Sequence, residues 1–134
     1  MAANKQVRFG SVALTTTTTT NVLNPPTITG GVVTGTANTN TYFLLKHIRL
    51  INKTTAAVQA AMWVGATGAN AAGTEFAFPG IASAGALTDG IVIQAQSYVE
   101  WYGNQRLDVG DFLVGGANTA TAVTFQAEGE IGVA

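Results

Sequence analysis

The chain has 134 residues, enough for one domain whose core needs no staples. Six lysines and arginines against seven aspartates and glutamates leave a net charge of −1, so no basic field exists to hold a nucleic-acid backbone. Cysteine is absent, which excludes disulfides, thiolate nucleophiles and cysteine-ligated zinc, and no apolar run is long enough for a transmembrane helix.

The first residues, MAANKQVRFG, lack the apolar core of a secretory signal, and the expectation is a soluble chain made in a cytoplasm. SVALTTTTTTNVLNPPTITGG then sets six threonines before a pair of prolines. Threonine is β-branched and strand-favouring, a flexible linker would be rich in glycine and serine, and Pro25-Pro26 blocks a central strand. Val7–Leu23 is therefore read as extended chain, its start paired in a sheet and the rest an arm ordered by contact. The chain divides on this reading into an extended arm or edge strand, 1–26, and a β-sandwich, 27–134. The arm's expected partner-binding residues are Thr15, Thr16, Thr17, Thr18, Thr19, Thr20, Val22 and Leu23, acting by strand addition to a neighbouring sheet edge.

TYFLLKHIRLINKTTAAVQAAMWVG predicts two strands, Tyr42–Ile51 and Ala56–Val64, paired as a hairpin through Asn52–Thr55. Val58, Met62 and Val64 share one face and Gln59 takes the other. A helix through AAVQAAMW would have only about two turns and a glycine-rich exit, so the strand is preferred. Lys46, His47, Arg49 and Lys53 are the one basic concentration, either a solvated strand edge or a docking patch for an acidic neighbour.

Glycine- and alanine-rich loops, Gly65–Thr74 and Pro79–Gly90, flank the short strand EFAF. GIVIQAQSYVEWYG alternates, with Ile91, Ile93, Ala95, Val99 and Trp101 inward and Gln94, Gln96, Tyr98 and Glu100 outward. LDVGDFLVGG supplies a short strand ending in paired glycines. TAVTFQAEGEIGV places Val123, Phe125, Ala127, Gly129, Ile131 and Val133 on one side, and Thr124, Gln126, Glu128 and Glu130 on the other. Many short strands punctuated by Gly, Asn and Pro predict an all-β single domain, an antiparallel β-sandwich or jelly roll with an extended N-terminal arm.

Catalytic templates find little to hold on to. His47 is the only histidine and has no carboxylate near it in sequence. Glu128 and Glu130 share a strand face, but glycosidase carboxylates come from different elements across a cleft. GIASAG around Ser83 is not a nucleophile elbow, and DVGD, with Asp108 and Asp111, lacks the ligand count of a calcium loop. NKT at Asn52–Thr54 is a glycosylation sequon only in a secreted chain. The expectation is a protein that is not an enzyme, with no catalytic, metal or cofactor-binding residue. Trp63, Trp101 and Tyr102 are candidate interface aromatics. In a glycan-binding module they would stack on sugar rings beside Asn104 and Gln105, although core packing is the commoner fate of such residues.

Three pieces, LKHIRLINKTTAAVQAAMWVG, SYVEWYGNQRLDVGDFLVGG and VTFQAEGEI, follow one another in an order that resembles a type of small β-sandwich among virion proteins of tailed bacteriophages. Ile48–Asn52, Tyr98–Tyr102, Leu107 with Gly110-Asp111, and Glu128–Glu130 carry the resemblance, which spans Tyr42 to Ala134 with only a loose match over Gly65–Gly90. It implies a capsid decoration (cement) protein, assembled in the host cytoplasm and resident in the virion. The partners so implied are the major capsid protein and further copies of the chain, a trimer being favoured, with neither nucleic acid nor membrane. A tail or fibre module is the second structural reading.

Overall fold

The computed structural model describes residues 4–25, 27–29, 32–33 and 41–133. Among them are twelve strands and no helix: β1 (Lys5–Ala13), β2 (Asn21–Leu23), β3 (Thr27–Thr29), β4 (Val32–Val33), β5 (Thr41–Asn52), β6 (Val58–Gly65), β7 (Ile81–Ser83), β8 (Ala86–Asp89), β9 (Ile91–Ile93), β10 (Tyr98–Leu107), β11 (Phe112–Ala117) and β12 (Val123–Val133). Sheet 1 has the order β1-β12-β5-β10 and sheet 2 the order β2-β11-β6-β9, while β3-β4 and β7-β8 are separate two-stranded ladders. Among the eight sandwich strands, every step along the chain crosses to the other sheet except β6 to β9. That path makes the all-β domain a jelly roll.

Alternation drives the sheets together. Phe43, Leu45, Ile48 and Leu50 of β5, Val123 and Phe125 of β12, and Phe9 of β1 point inward from sheet 1. Val22, Leu23, Met62, Ile93 and Leu113 meet them from sheet 2, all with almost no exposure. Each such side chain withdraws apolar surface worth roughly 1.5–3 kcal/mol from water. Between Leu45 and Ile48 the inward period of two breaks, because Lys46 is an extra residue opposite the Glu128–Gly129 step of β12. At this bulge a Cβ on Gly129 would collide with the Leu44 carbonyl oxygen, so only glycine fits.

The structure corrects several expectations. Tyr42–Ile51 and Ala56–Val64 do form strands, but β5 and β6 lie in opposite sheets and are not a hairpin. Both flanks of β5 are taken by β12 and β10, and Asn52 turns the chain across the sandwich. Its buried Nδ2 donates to the carbonyls of Ala56 (2.8 Å), Ile93 (3.1 Å) and Gln94 (3.1 Å), and its Oδ1 accepts from the Thr54 N–H (2.9 Å) and hydroxyl (2.7 Å). That corner satisfies backbone groups that a ladder would otherwise pair.

The single strand expected over GIVIQAQSYVEWYG is likewise two, β9 in sheet 2 and β10 in sheet 1. They are separated by a turn in which Gln96 has φ 51° and Ala95 is exposed rather than inward. EFAF forms no strand of its own. It lies along β6 through a bridge from Glu75 to Trp63, with Met62 donating to the Phe78 carbonyl at 2.8 Å and accepting from Phe76 at 3.0 Å. The loop expected over Pro79–Gly90 holds the β7-β8 hairpin, turned at Ala84 and Gly85 with φ 53° and 78°. Val133, expected inward, is 49% exposed at the end of β12.

The largest correction concerns the N-terminal segment. β1 pairs with β12 from Lys5↔Ile131 to Ala13↔Thr124, and β2 pairs with β11. Phe9, Leu14, Val22 and Leu23 are core residues, so residues 4–25 belong to the sandwich and supply one edge of each sheet. The six threonines carry the chain from one sheet to the other. Thr15 and Thr20 close the crossing with a 2.7 Å hydroxyl pair, while their carbonyls accept from Ala117 (2.9 Å) and Gly115 (3.2 Å) of β11. The strand-addition chemistry expected of this segment is thus satisfied within its own chain.

Candidate functional site

The pleat and the register together gather the charged residues on the outward face of sheet 1. One cross-strand row runs Arg8 on β1, Glu128 on β12, His47 on β5 and Tyr102 on β10, each the register partner of the next. The adjoining row runs Gly10, Gln126, Arg49 and Glu100. The bulge lifts Lys46 out of the ladder toward Glu130, at 3.5 Å. Arg8, Lys46, His47, Tyr102, Glu128 and Glu130 line a shallow cavity of about 470 Å³ across the face.

Glu100 organises the β5–β10 half of this surface. Its Oε2 accepts from the Tyr102 hydroxyl at 2.6 Å, lies 2.5 Å from His47 Nε2, and sits 3.7 Å from the Arg49 guanidinium. The Tyr102 hydrogen bond, aided by His47 and Arg49 and opposed by desolvation, holds the Glu100 carboxyl below the usual carboxylate range. The same bond raises the Tyr102 phenol above its ordinary value, since it favours the protonated oxygen. The imidazole of His47 stacks on Tyr102 at 4.4 Å and 10°, and Arg49 stands 5.3 Å over the Tyr98 ring. Further along, Arg106 lies 4.0 Å over Tyr42 and its guanidinium is held by Asp108, which raises its basicity further.

These contacts place the residues singled out from sequence. Lys46, His47 and Arg49 do share a face, but Lys53 sits apart at the β5–β6 turn, where its N–H donates to Ala122. The patch is not a cationic field either, since Glu100, Glu128 and Glu130 are interleaved with it. Trp63 is 1% exposed, buried with Ala61 and Val114 beneath Ala82, Leu87 and Phe112. Trp101 packs edge-on against Phe76 at 4.9 Å, on the core side of β10. Of the three aromatics only Tyr102, 70% exposed, lies open to solvent, while Trp101 is half-buried on the opposite face of β10, so they form no common platform. Thr18 is fully buried, and Val22 and Leu23 are core. Thr15, Thr16, Thr17 and Thr19 stay exposed on the crossing over β11.

Sequence reasoning did not reach Arg8, Tyr98 or Glu100 as members of one site. The alternation of β10 marks Tyr98 and Glu100 as outward, but only the register brings them beside His47 and Arg49. Chemically the face is a mosaic of both signs with stacked rings, fixed in place by hydrogen bonds. An ionised carboxylate with a lowered pKa is a hydrogen-bond acceptor rather than a proton donor near neutrality. Such a surface suits orienting a complementary partner. No protein-family model, no curated protein and no solved structure matches the chain.

Proposed function

We propose that this chain is a non-enzymatic structural protein of a phage particle, a capsid decoration protein that docks on the major capsid protein through the outward face of sheet 1. The observation that carries the reading is the gathering of Arg8, Lys46, His47, Arg49, Glu100, Glu128 and Glu130 on one sheet face, in a chain with only 10% charged residues. The resemblance of the segment from Tyr42 onward to small virion sandwiches supports it. So does the jelly-roll path, which recurs in viral capsid domains, though fold analogy alone assigns no function. The threonine crossing does not attach by strand addition in this reading, because β11 bonds the Thr15 and Thr20 carbonyls and Gly85 accepts from the Thr18 N–H. Self-association belongs to the same reading; the resemblance favours a trimer, whereas the long free edge of β10 argues for a pair.

The test is quantitative mass spectrometry of purified particles, with heads and tails separated. Copy numbers in step with the capsid protein in the head fraction are expected. Recovery in the tail fraction alone would move the chain to a tail or fibre role. Charge-reversing variants Arg8→Glu and Lys46→Glu, folded as the parent is, should load poorly onto undecorated shells. Undiminished loading would place the docking face elsewhere.

A further inference from the structure

We propose that two copies of this chain join edge to edge through β10, as antiparallel strands related by a two-fold axis at Gly103. β10 is a ten-residue strand at one edge of sheet 1, and among the described residues its only ladder is with β5. The other edges offer less: β2 and β9 have three residues each, and β1 is irregular between Gly10 and Val12 with β3 beside it. A long unpaired edge is a template for another strand unless it is blunted.

The occupant follows from the chemistry of the edge itself. In a two-fold antiparallel pair centred on Gly103, residues equally far before and after it face one another across the joint. Glu100 of each copy then stands opposite Arg106 of the other, and Tyr102 opposite Asn104, all on the outward face. The ladder irregularity between Tyr102 and Gln105 falls at the axis, so the regular stretches on either side face each other. Both charges have capacity left. Glu100 uses only Oε2 within the chain, and Arg106 uses Nε and Nη2 for Asp108, leaving Oε1 and Nη1 without partners among the described residues. Gly103 is covered on the core side by the Trp101 indole, which a Cβ there would strike. The joint thus adds main-chain ladder bonds and two Glu–Arg pairs, and makes one continuous sheet from two.

The experiment is sedimentation of the full chain over a range of concentrations, with hydrogen exchange at both extremes. A species of twice 13.7 kDa is expected, with added protection at high concentration confined to the amides of 98–107. Arg106→Glu should weaken the dimer about tenfold or more, since it sets like charges opposite each other twice. Glu100→Arg should do the same, and the double variant Glu100→Arg/Arg106→Glu should restore association. Circular dichroism identifies any variant that fails to fold, and the exchange pattern of the parent chain then decides alone. A monomer at every concentration, a trimer, a dimer indifferent to Arg106→Glu, or protection gained outside β10 would each overturn the proposal.

Discussion

Gly116 lies directly under Thr18: a Cβ on the glycine would stand 3.1 Å from the threonine Cα and 3.2 Å from its Cγ2. The paired glycines of β11 therefore make room on both sides, Gly115 against Met62 and Gly116 against the threonine crossing. A valine at Gly116 would push the crossing off the sheet. We expect Gly116→Val to cost about 1–3 kcal/mol, the usual penalty of overpacking, measured by urea denaturation. Unchanged stability would show that the crossing does not rest on β11.

Removing residues 1–26 deletes β1 and β2 together with Phe9, Leu14, Val22 and Leu23. Such a truncation should show no cooperative thermal transition in circular dichroism. The single change Phe9→Ala should cost about 3–5 kcal/mol, because the ring is fully buried and packs tilted against Phe43 at 4.7 Å. A truncated chain that melts cooperatively near the parent temperature would restore the segment to the status of an appendage.

At the sheet-to-sheet corner, Asn52→Ala would strip three carbonyls of their shared donor and the Thr54 amide and hydroxyl of their shared acceptor. A loss of about 3 kcal/mol is expected. The matching structural readout is faster exchange of the Thr54 amide, which Asn52 Oδ1 accepts in the parent. Slow exchange at Thr54 in the variant would assign the turn to its backbone instead.

The Glu100–Tyr102 pair makes a prediction about pH. Its carboxyl titrates below the ordinary 4.5, so the folded state binds its proton less readily than the unfolded chain does. The stabilisation is therefore complete above the unfolded value and is lost as pH falls through the folded one. Tyr102→Phe removes the chief cause, and carboxyl NMR titration should find Glu100 moved up toward 4.5. An unmoved titration would pass the leading role to His47 or Arg49.

What sequence could deliver was local. The period-two patterns of β5 and β12 are visible in the order of the residues, and with them the all-β class and most of the inward faces. The partner of each strand was not visible, because alternation looks the same whether the next strand pairs alongside or crosses the core. Asn52 illustrates the loss: in a string of letters NKTT is a hairpin loop, and only its bonds to Ile93 and Gln94 reveal a crossing. The threonine run misled for a related reason. Its β-branched residues promise extended chain, and nothing in their composition says that a glycine nearly 100 residues later, Gly116, leaves a berth for them. The site suffered most, since Arg8, Glu128, His47 and Tyr102 come from four separate strands and meet only through register.

β12 is the last of the strands in chain order, yet it lies inside sheet 1, between β1 and β5. On a ribosome the two strands that flank it emerge first and must wait with a strand-wide gap between them. Until β12 leaves the exit tunnel, the core cluster of Phe9 and Phe43 lacks Val123 and Phe125, and two bare ladder edges face the surrounding solution. Folding of the sandwich is thus deferred until β12 has emerged, and until then each nascent chain carries edges that other nascent chains could occupy. Crowded translation of one message would punish this arrangement more than dilute refolding does.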